Sequence, residues 1–473
     1  MIEDTSNELS VFDIAQEHRS SGQYQTAIDF YKLAIEGFTW KEDIWYCHYL
    51  ISKCYISLSD LASAEEWVMS GYEVHPTRSE AIYHLCLKYR NTAQHNKAYH
   101  LYKLGVNIPY PHSDGLYVES EIYLHRLFDY ELTILHYYLF PEDRLAGLVH
   151  SLNYLNLGPL PKSENVFNNL KYYVGALSNN GGEISVFDVA PPNGFINSSP
   201  CKIITSDGEE IVNIRQVNYL IDQSNGSYHY ASDGHHMNFE NTSVRPVETR
   251  NYLLGYGEMT ELYSVDIRPG ARIVGLEDLR LYEVGGEIKF LATACNLTKD
   301  ETIRISTGEY DRENRIIYVN KVFDSPSGEY CEKNWTFLDS STLIYKWSPL
   351  TTYSYDDLTL VNEYPTPLIF NKFRGSSSVI EYGDHRLTVV HSVHHDSPRK
   401  YLHWLVMLDV SGRPVGYSIP FSFEGNPIEY CLSCVLSEEN IVFQYSTWDS
   451  SSREMTIPIA YFLDKIFYIN EMN

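Results

Sequence analysis

The hydrophobic period of this chain changes once, and that change governs what the chain can fold into. From about residue 8 to 156, apolar residues recur at helical spacing; from Val166 onward they fall in short runs separated by Gly, Asn, Asp and Pro. The break lies over residues 156–165, where Gly158, Pro159 and Pro161 stop a helix, because proline fixes φ and removes an N–H donor. With 473 residues the chain exceeds one ordinary core, so two domains are expected: helical over 1–160 and strand-rich over 161–473.

The helical half repeats. Gly22-Gln23-Tyr24, Ala27-Ile28 and Tyr31 have the small-residue and aromatic spacing of a tetratricopeptide helix pair, whose period is about 34 residues. Ala27, Ala64 and Ala98 stand 37 and 34 residues apart, where helices must cross closely, and Pro76 and Pro109 mark the ends of second helices. Trp45 to Tyr55 and Ser79 to Arg90 are then first helices of successive pairs. A tetratricopeptide-like solenoid is expected, with its aromatics as packing layers and a protein partner on the repeats as the functional reading.

The second half supplies short β-rich runs, among them Cys201 to Thr205, Ile211 to Tyr219, Ile288 to Ala294, Leu387 to Val393 and Ile441 to Tyr445. About 290 residues of such strand, at ~45 to 60 residues per four-stranded unit, predict an all-β propeller of five or six blades. In a propeller the first strands of the blades line a central channel, so polar residues far apart in sequence converge on one pocket.

Charge narrows the function. A formal net charge of −26 argues against nucleic acid, whose phosphates are bound by concentrated Lys and Arg. The eight cysteines show no framework spacing, no signal-like apolar run follows Met1 to Ser10, and no run of ~18 apolar residues is present. A cytoplasmic protein without a membrane span is expected. Cys431 and Cys434 form half of a zinc motif with no second half at ligand spacing, so no metal site is assigned.

Polar strings stand at strand starts: Asn213 to Tyr219, Thr249 to Tyr252, Gly275-Leu-Glu277-Asp278-Leu-Arg280, Cys331 to Trp335, Arg374 to Ser378 and His391 to His395. Strand alternation predicts Asp278 and Arg280 on one face, where an adjacent cation favours a carboxylate in its charged form. Arg215, Arg250, Lys333, Arg374 and His391 are cations in semi-apolar settings, which call for carboxylates or a bound phosphate. Trp335, Tyr345, Trp347 and Tyr401 are candidates to stack on sugar rings. The residues alone fit structural ion pairs between blades equally well.

In order and spacing, the Glu277-Asp278-x-Arg280 string, the Glu332-Lys333-Asn334 block, Arg374-Gly375-Ser376 and Val390-His391-Ser-Val resemble the motifs of the five-bladed propellers of glycoside hydrolase family 130 and the related β-mannosyltransferases. The N-terminal half resembles tetratricopeptide arrays attached to uncharacterised glycosyltransferases. The resemblance implies a five-bladed propeller over residues 161–473, Asp278 as the general acid or base of a single displacement with inversion, and phosphate-gripping Arg280, Lys333, Arg374 and His391. Arg215, Arg250 and Asn334 complete the expected substrate-binding set, with Trp335 and Tyr401 stacking on sugar. Leu279 stands where the enzymes usually carry proline, and Ser392 where they usually carry glycine. The expected function is an inverting, mannosyl-transferring glycosyltransferase with no cofactor, a nucleotide-sugar or sugar-phosphate donor, and a glycan or protein acceptor. Alternatives are a β-mannoside phosphorylase or hydrolase and, from another class, a non-catalytic adaptor that binds glycan or protein.

Overall fold

The computed structural model describes residues 9–113, 116–299 and 302–469 and divides into two compact units, Met1–Tyr173 and Val174–Asn473.

In the first unit α1 (Val11–Ser20) and α2 (Tyr24–Gly37), α3 (Lys41–Ser57) and α4 (Leu61–Val74), and α5 (Glu80–Asn91) and α6 (His95–Gly105) form three successive helix pairs. Ala27, Ala64 and Ala98 are completely buried, so the alanine spacing read from the sequence is the spacing of the helix crossings. The turns repeat too: Gly22, Ser59 and Ala93, one in each pair, all adopt positive φ. Only the glycine does so without steric cost. A buried ion pair, Arg78 Nη2 to Glu80 Oε1 at 2.9 Å, opens the third pair. Its guanidinium lies 3.8 Å over the Trp45 ring, and Glu80 also accepts from Tyr123 Oη.

The shorter α7 (Ser120–Leu124) precedes α8 (Leu127–Leu139), α9 (Arg144–Asn156) and α10 (Ser163–Asn169). The unit extends to Tyr173 rather than ending at 160. The reason is burial: Val166 and Phe167 of α10 are in its core, and Tyr173 Oη donates to the Thr133 carbonyl at 2.6 Å. The proline-rich break is a bend inside the unit.

The second unit is a five-bladed propeller. Its blades begin at Ile196–Ile204, Glu277–Val284, Thr336–Phe337, Arg374–Gly375 and Glu429–Ser437, and the sheets hold four to six strands. The fifth blade is completed by the first strand of the unit: Glu183–Val186 pairs antiparallel with Ser452–Pro458. That closure leaves no blade joined only to one neighbour. Alternating apolar residues fill the spaces between sheets, as in the cluster of Leu276, Leu279, Leu281, Phe290 and Ala292. Cys431 and Cys434 belong to another such cluster with Phe421 and Phe443, where they pack as small apolar groups. No helix among the described residues is long and apolar enough to cross a membrane.

Candidate active site

Asp278 sits where its strand breaks register. The strand Glu277–Val284 is bulged between Glu277 and Arg280, and Asp278 adopts φ 55°. A left-handed backbone at a non-glycine residue costs ~1–3 kcal/mol and persists where the surroundings over-determine it. The bulge overturns simple alternation: the side chain of Asp278 does not share a face with that of Arg280. Its partner is Arg215 of the first blade, whose Nη1 lies 3.0 Å from Asp278 Oδ1 and whose Nη2 lies 3.7 Å from Glu277 Oε1. Burial opposes the Arg215 cation, but Tyr219, Asp278 and Glu277 hold its pKa well above the usual value.

Glu277 is shared with the third blade, since Lys333 Nζ lies 3.4 Å from its second oxygen. Glu277 is the main reason the Lys333 ammonium is held well above its ordinary range despite burial. Asn334 follows with φ 66°, and the Cβ-free Gly375 allows the next blade to approach. A methyl group there would come 2.3 Å from the Asn334 carbonyl, so glycine is required to set Arg374 beside Asn334.

These residues line one cavity of about 620 Å³ to which every blade contributes: Arg215 from the first, Asp278 from the second, Lys333 and Asn334 from the third, Arg374 and His391 from the fourth, Tyr430 and Asp449 from the fifth. Arg268, Arg272 and Arg399 add further cations, giving six against the carboxylates of Glu277, Asp278 and Asp449. A protein of net charge −26 therefore presents a cationic pocket. Arg272, Arg374 and Arg399 form no ion pair among the described residues. Arg272 stacks on the Phe239 ring and Arg399 Nη2 donates to Tyr228 Oη at 2.6 Å, which leaves the Arg374 guanidinium most open to an incoming anion.

The sequence-derived set divides. Asp278, Arg215, Lys333, Asn334, Arg374, His391 and Tyr401 line the cavity. Arg280 does not: it is 1 % exposed and spends its donors on the Ser376 carbonyl at 2.7 Å, the Asp278 carbonyl at 3.1 Å and Tyr430 Oη at 2.7 Å. Tyr430 passes the support on, donating to Asn334 Oδ1 at 3.1 Å. Arg280 is thus a brace behind the site rather than an anion ligand. Arg250 faces elsewhere, paired with Glu248 at 2.9 Å and Glu258 at 3.3 Å, because two-residue alternation places it on the side of its strand that carries Glu248. Trp335 is 1 % exposed among Phe323, Phe337 and Leu343, its Nε1 donating to Glu332, so it has no face for a sugar. Trp347 is buried as well. His391 is not a cation: burial, with His403, Arg374 and Arg280 nearby, pushes its pKa well below the ordinary value, and its Nδ1 is hydrogen-bonded to Ser376 Oγ at 2.8 Å.

Sequence reading missed Asp449. It lies in the turn after Asn440–Thr447 with φ 48° and accepts from Tyr219 Oη at 3.0 Å. Burial raises its pKa, the nearby Asp278 adds to the rise, and Arg215 opposes it. Its one sequence signal, Asp449 after Trp448 between two strands, is shared by many turns. The two aspartates therefore occupy unlike settings, one clamped by a guanidinium and one buried against a phenol.

No family model and no curated protein matches the chain. Among solved structures it is similar to a β-1,2-mannobiose phosphorylase from Listeria innocua, with 13 % identity, 59 % of this chain and 96 % of that one covered, and a TM-score of 0.40. It is similar to MPT-1, a GDP-Man-dependent mannosyltransferase from Leishmania mexicana, with 12 % identity, 62 % and 94 % coverage and a TM-score of 0.39. It is also similar to a Podosopora anserina structure of nearly identical TPR-like repeats, with 14 % identity, 36 % and 86 % coverage and a TM-score of 0.26.

Proposed function

We propose that the propeller is a carbohydrate-active enzyme, an inverting glycosyltransferase that moves a sugar, in our reading mannose, from a phosphate-activated donor to an acceptor hydroxyl. The observation that carries this reading is the division of one cavity into Asp278, clamped by Arg215, and the cations Lys333 and Arg374 with the neutral His391. The motif order that resembles mannoside phosphorylases and mannosyltransferases supports the choice of sugar.

The acceptor oxygen attacks the anomeric carbon as the bond from that carbon to the phosphate oxygen breaks. The hydroxyl proton passes to Asp278, and the electron pair leaves on the phosphate. Charge growing on the departing oxygen meets Lys333 and Arg374, already in place, and a preorganised cation is worth most where water is excluded. His391 and Asn334 donate or accept hydrogen bonds without adding charge. Asp449, with its raised pKa, hydrogen-bonds the sugar and fixes its orientation.

Incubation with a panel of nucleotide sugars and of mannose 1-phosphate, with product analysis by mass spectrometry, tests the proposal. Transfer to an added mannoside with release of nucleotide or phosphate is the expected result. Phosphate-dependent cleavage of a β-mannoside makes the enzyme a phosphorylase instead, free mannose without phosphate dependence a hydrolase, and no turnover with any donor an adaptor.

A further inference from the structure

A second cavity lies in the propeller, between its first and second blades, and Arg250, expected in the substrate-binding set, lines it. Its volume of about 660 Å³ slightly exceeds that of the active-site cavity and falls within the ~300–1,000 Å³ of small-molecule sites. Glu248, Thr249 and Arg250 come from the first-blade strand Val247–Leu253; Thr260, Glu261 and Tyr263 come from Thr260–Tyr263, the outermost strand of the second-blade sheet. Val247, Ile273 and Cys295 line the active site, while the residue after each, Glu248, Val274 and Asn296, lines this cavity. Because Val247–Leu253 and Ile273–Val274 pair in parallel and successive side chains alternate, the two cavities stand back to back across one strand pair.

Its charges are answered from within. Arg250 takes up Glu248 at 2.9 Å and Glu258 at 3.3 Å. Glu261 accepts from Tyr263 Oη, from Asn251 Nδ2 at 3.3 Å and from the Leu276 amide at 3.4 Å. The exposed Arg315 donates to the Tyr256 carbonyl at 3.4 Å. Three carboxylates against two guanidinium groups disfavour an anion, and no group of His, Cys, Asp and Glu among the described residues could hold a metal ion. What is left over is neutral. Thr249 Oγ1 and Asn296 Oδ1 have no hydrogen-bond partner, although the two residues are only 3 % and 5 % exposed. An unpaired buried polar atom is costly, so a ligand that pairs both is favoured.

We infer that this cavity binds a neutral sugar residue of a glycan, apart from the catalytic pocket. A hydroxyl is donor and acceptor at once, so sugar hydroxyls can donate to Asn296 Oδ1 and either give or take a hydrogen bond at Thr249 Oγ1. Met259 and Val274 offer an apolar wall to the C–H face of the ring. The site requires no charge on its ligand and takes part in no step of the proposed reaction, so it stands or falls separately from the proposed function.

Isothermal titration of the full chain with β-1,2-linked mannotriose tests this, and two kinds of variant separate the cavities. Binding is expected to persist in Tyr401→Ala and Arg374→Met, which alter the active site. It should weaken by about twofold to tenfold in Thr249→Val and in Asn296→Ala, each of which removes one hydrogen bond to the ligand. Thr249→Val keeps the shape of the side chain and removes a hydroxyl that has no partner in the free protein, so its melting temperature should be at or above that of wild type. Thr293→Val is the control: Thr293 Oγ1 is also buried and unpartnered but lies outside the cavity, and its loss should leave affinity unchanged. Mannotriose binding that is lost in Tyr401→Ala and untouched by Thr249→Val overturns the inference and leaves the proposed function standing. Absence of binding to wild type overturns it in favour of a water-filled cavity, and binding of spermidine without mannotriose overturns it in favour of a cation site.

Discussion

Arg215 Nη1 stands 3.0 Å from Asp278 Oδ1 while the same guanidinium reaches Glu277 at 3.7 Å, so one buried cation from the first blade holds two successive carboxylates of the second. Planar, forked donors suit this task and an ammonium does not. Asp278→Asn keeps the shape of the site but cannot take a proton. Its kcat is expected to fall by about 10²–10⁴-fold with KM little changed. Arg215→Lys is expected to lower kcat as well, because a point charge cannot grip both carboxylates. Steady-state kinetics with the donor identified by the panel check both, and an Asp278→Asn enzyme at full rate sinks the mechanism.

Arg280 offers a contrast with the other cations. Its donors end on carbonyls and on Tyr430, so Arg280→Met leaves several buried acceptors without partners. We expect a loss of about 3 kcal/mol or more in urea unfolding. Arg374→Met should leave stability within about 0.5 kcal/mol, as for an exposed residue without partners, while KM for the phosphorylated donor rises.

The two aromatic candidates separate in the same way. Trp335→Ala should cost about 3–5 kcal/mol through the cavity it opens in the third blade, with kinetic constants of the surviving folded enzyme nearly unchanged. Tyr401→Ala is expected to weaken sugar binding and, because Tyr401 is only partly buried against its neighbouring clusters, to cost less stability than Trp335→Ala. A sugar-affinity loss in Trp335→Phe larger than in Tyr401→Ala would contradict this assignment.

Acid should destabilise the propeller through its buried histidines. Burial lowers His403 to about 3, whereas in an unfolded chain histidine takes a proton below ~6.5. Between those values the unfolded state binds the extra proton, so stability falls as pH is lowered, by up to ~1.4 kcal/mol per pH unit for one residue. His391, pushed down by the same cause, adds to the slope. Urea titrations between about pH 6 and pH 4 should show His403→Gln with a slope shallower by about one proton.

Architecture was legible in the sequence because period and punctuation are local properties. The alanine ladder at 27, 64 and 98 announced helix crossings, and the turn-separated strand runs announced blades. Asp278, Lys333 and Arg374 were legible as polar residues at strand starts. What failed was the assumption of regular alternation: a bulge at Asp278 rotates its carboxylate away from Arg280, and no residue type signals that rotation. Arg250 and Trp335 were misplaced because a cation or an indole in a strand reads alike on either face. Asp449 escaped because its meaning comes from Tyr219, which lies 230 positions earlier and meets it only through ring closure.

The strand Glu183–Val186 is the clasp of the wheel, and its partner Ser452–Pro458 is made long after it. During synthesis the clasp must wait while some 266 further residues emerge, roughly 15–50 s at ordinary translation speeds. Throughout that interval the nascent wheel is an open arc with an unpaired edge at each end, and open edges invite pairing with strangers. A premature stop before Ser452 would therefore remove more than one sheet's worth of stability: it would leave a chain that recruits others, so such fragments should accumulate as aggregates rather than as four-bladed monomers.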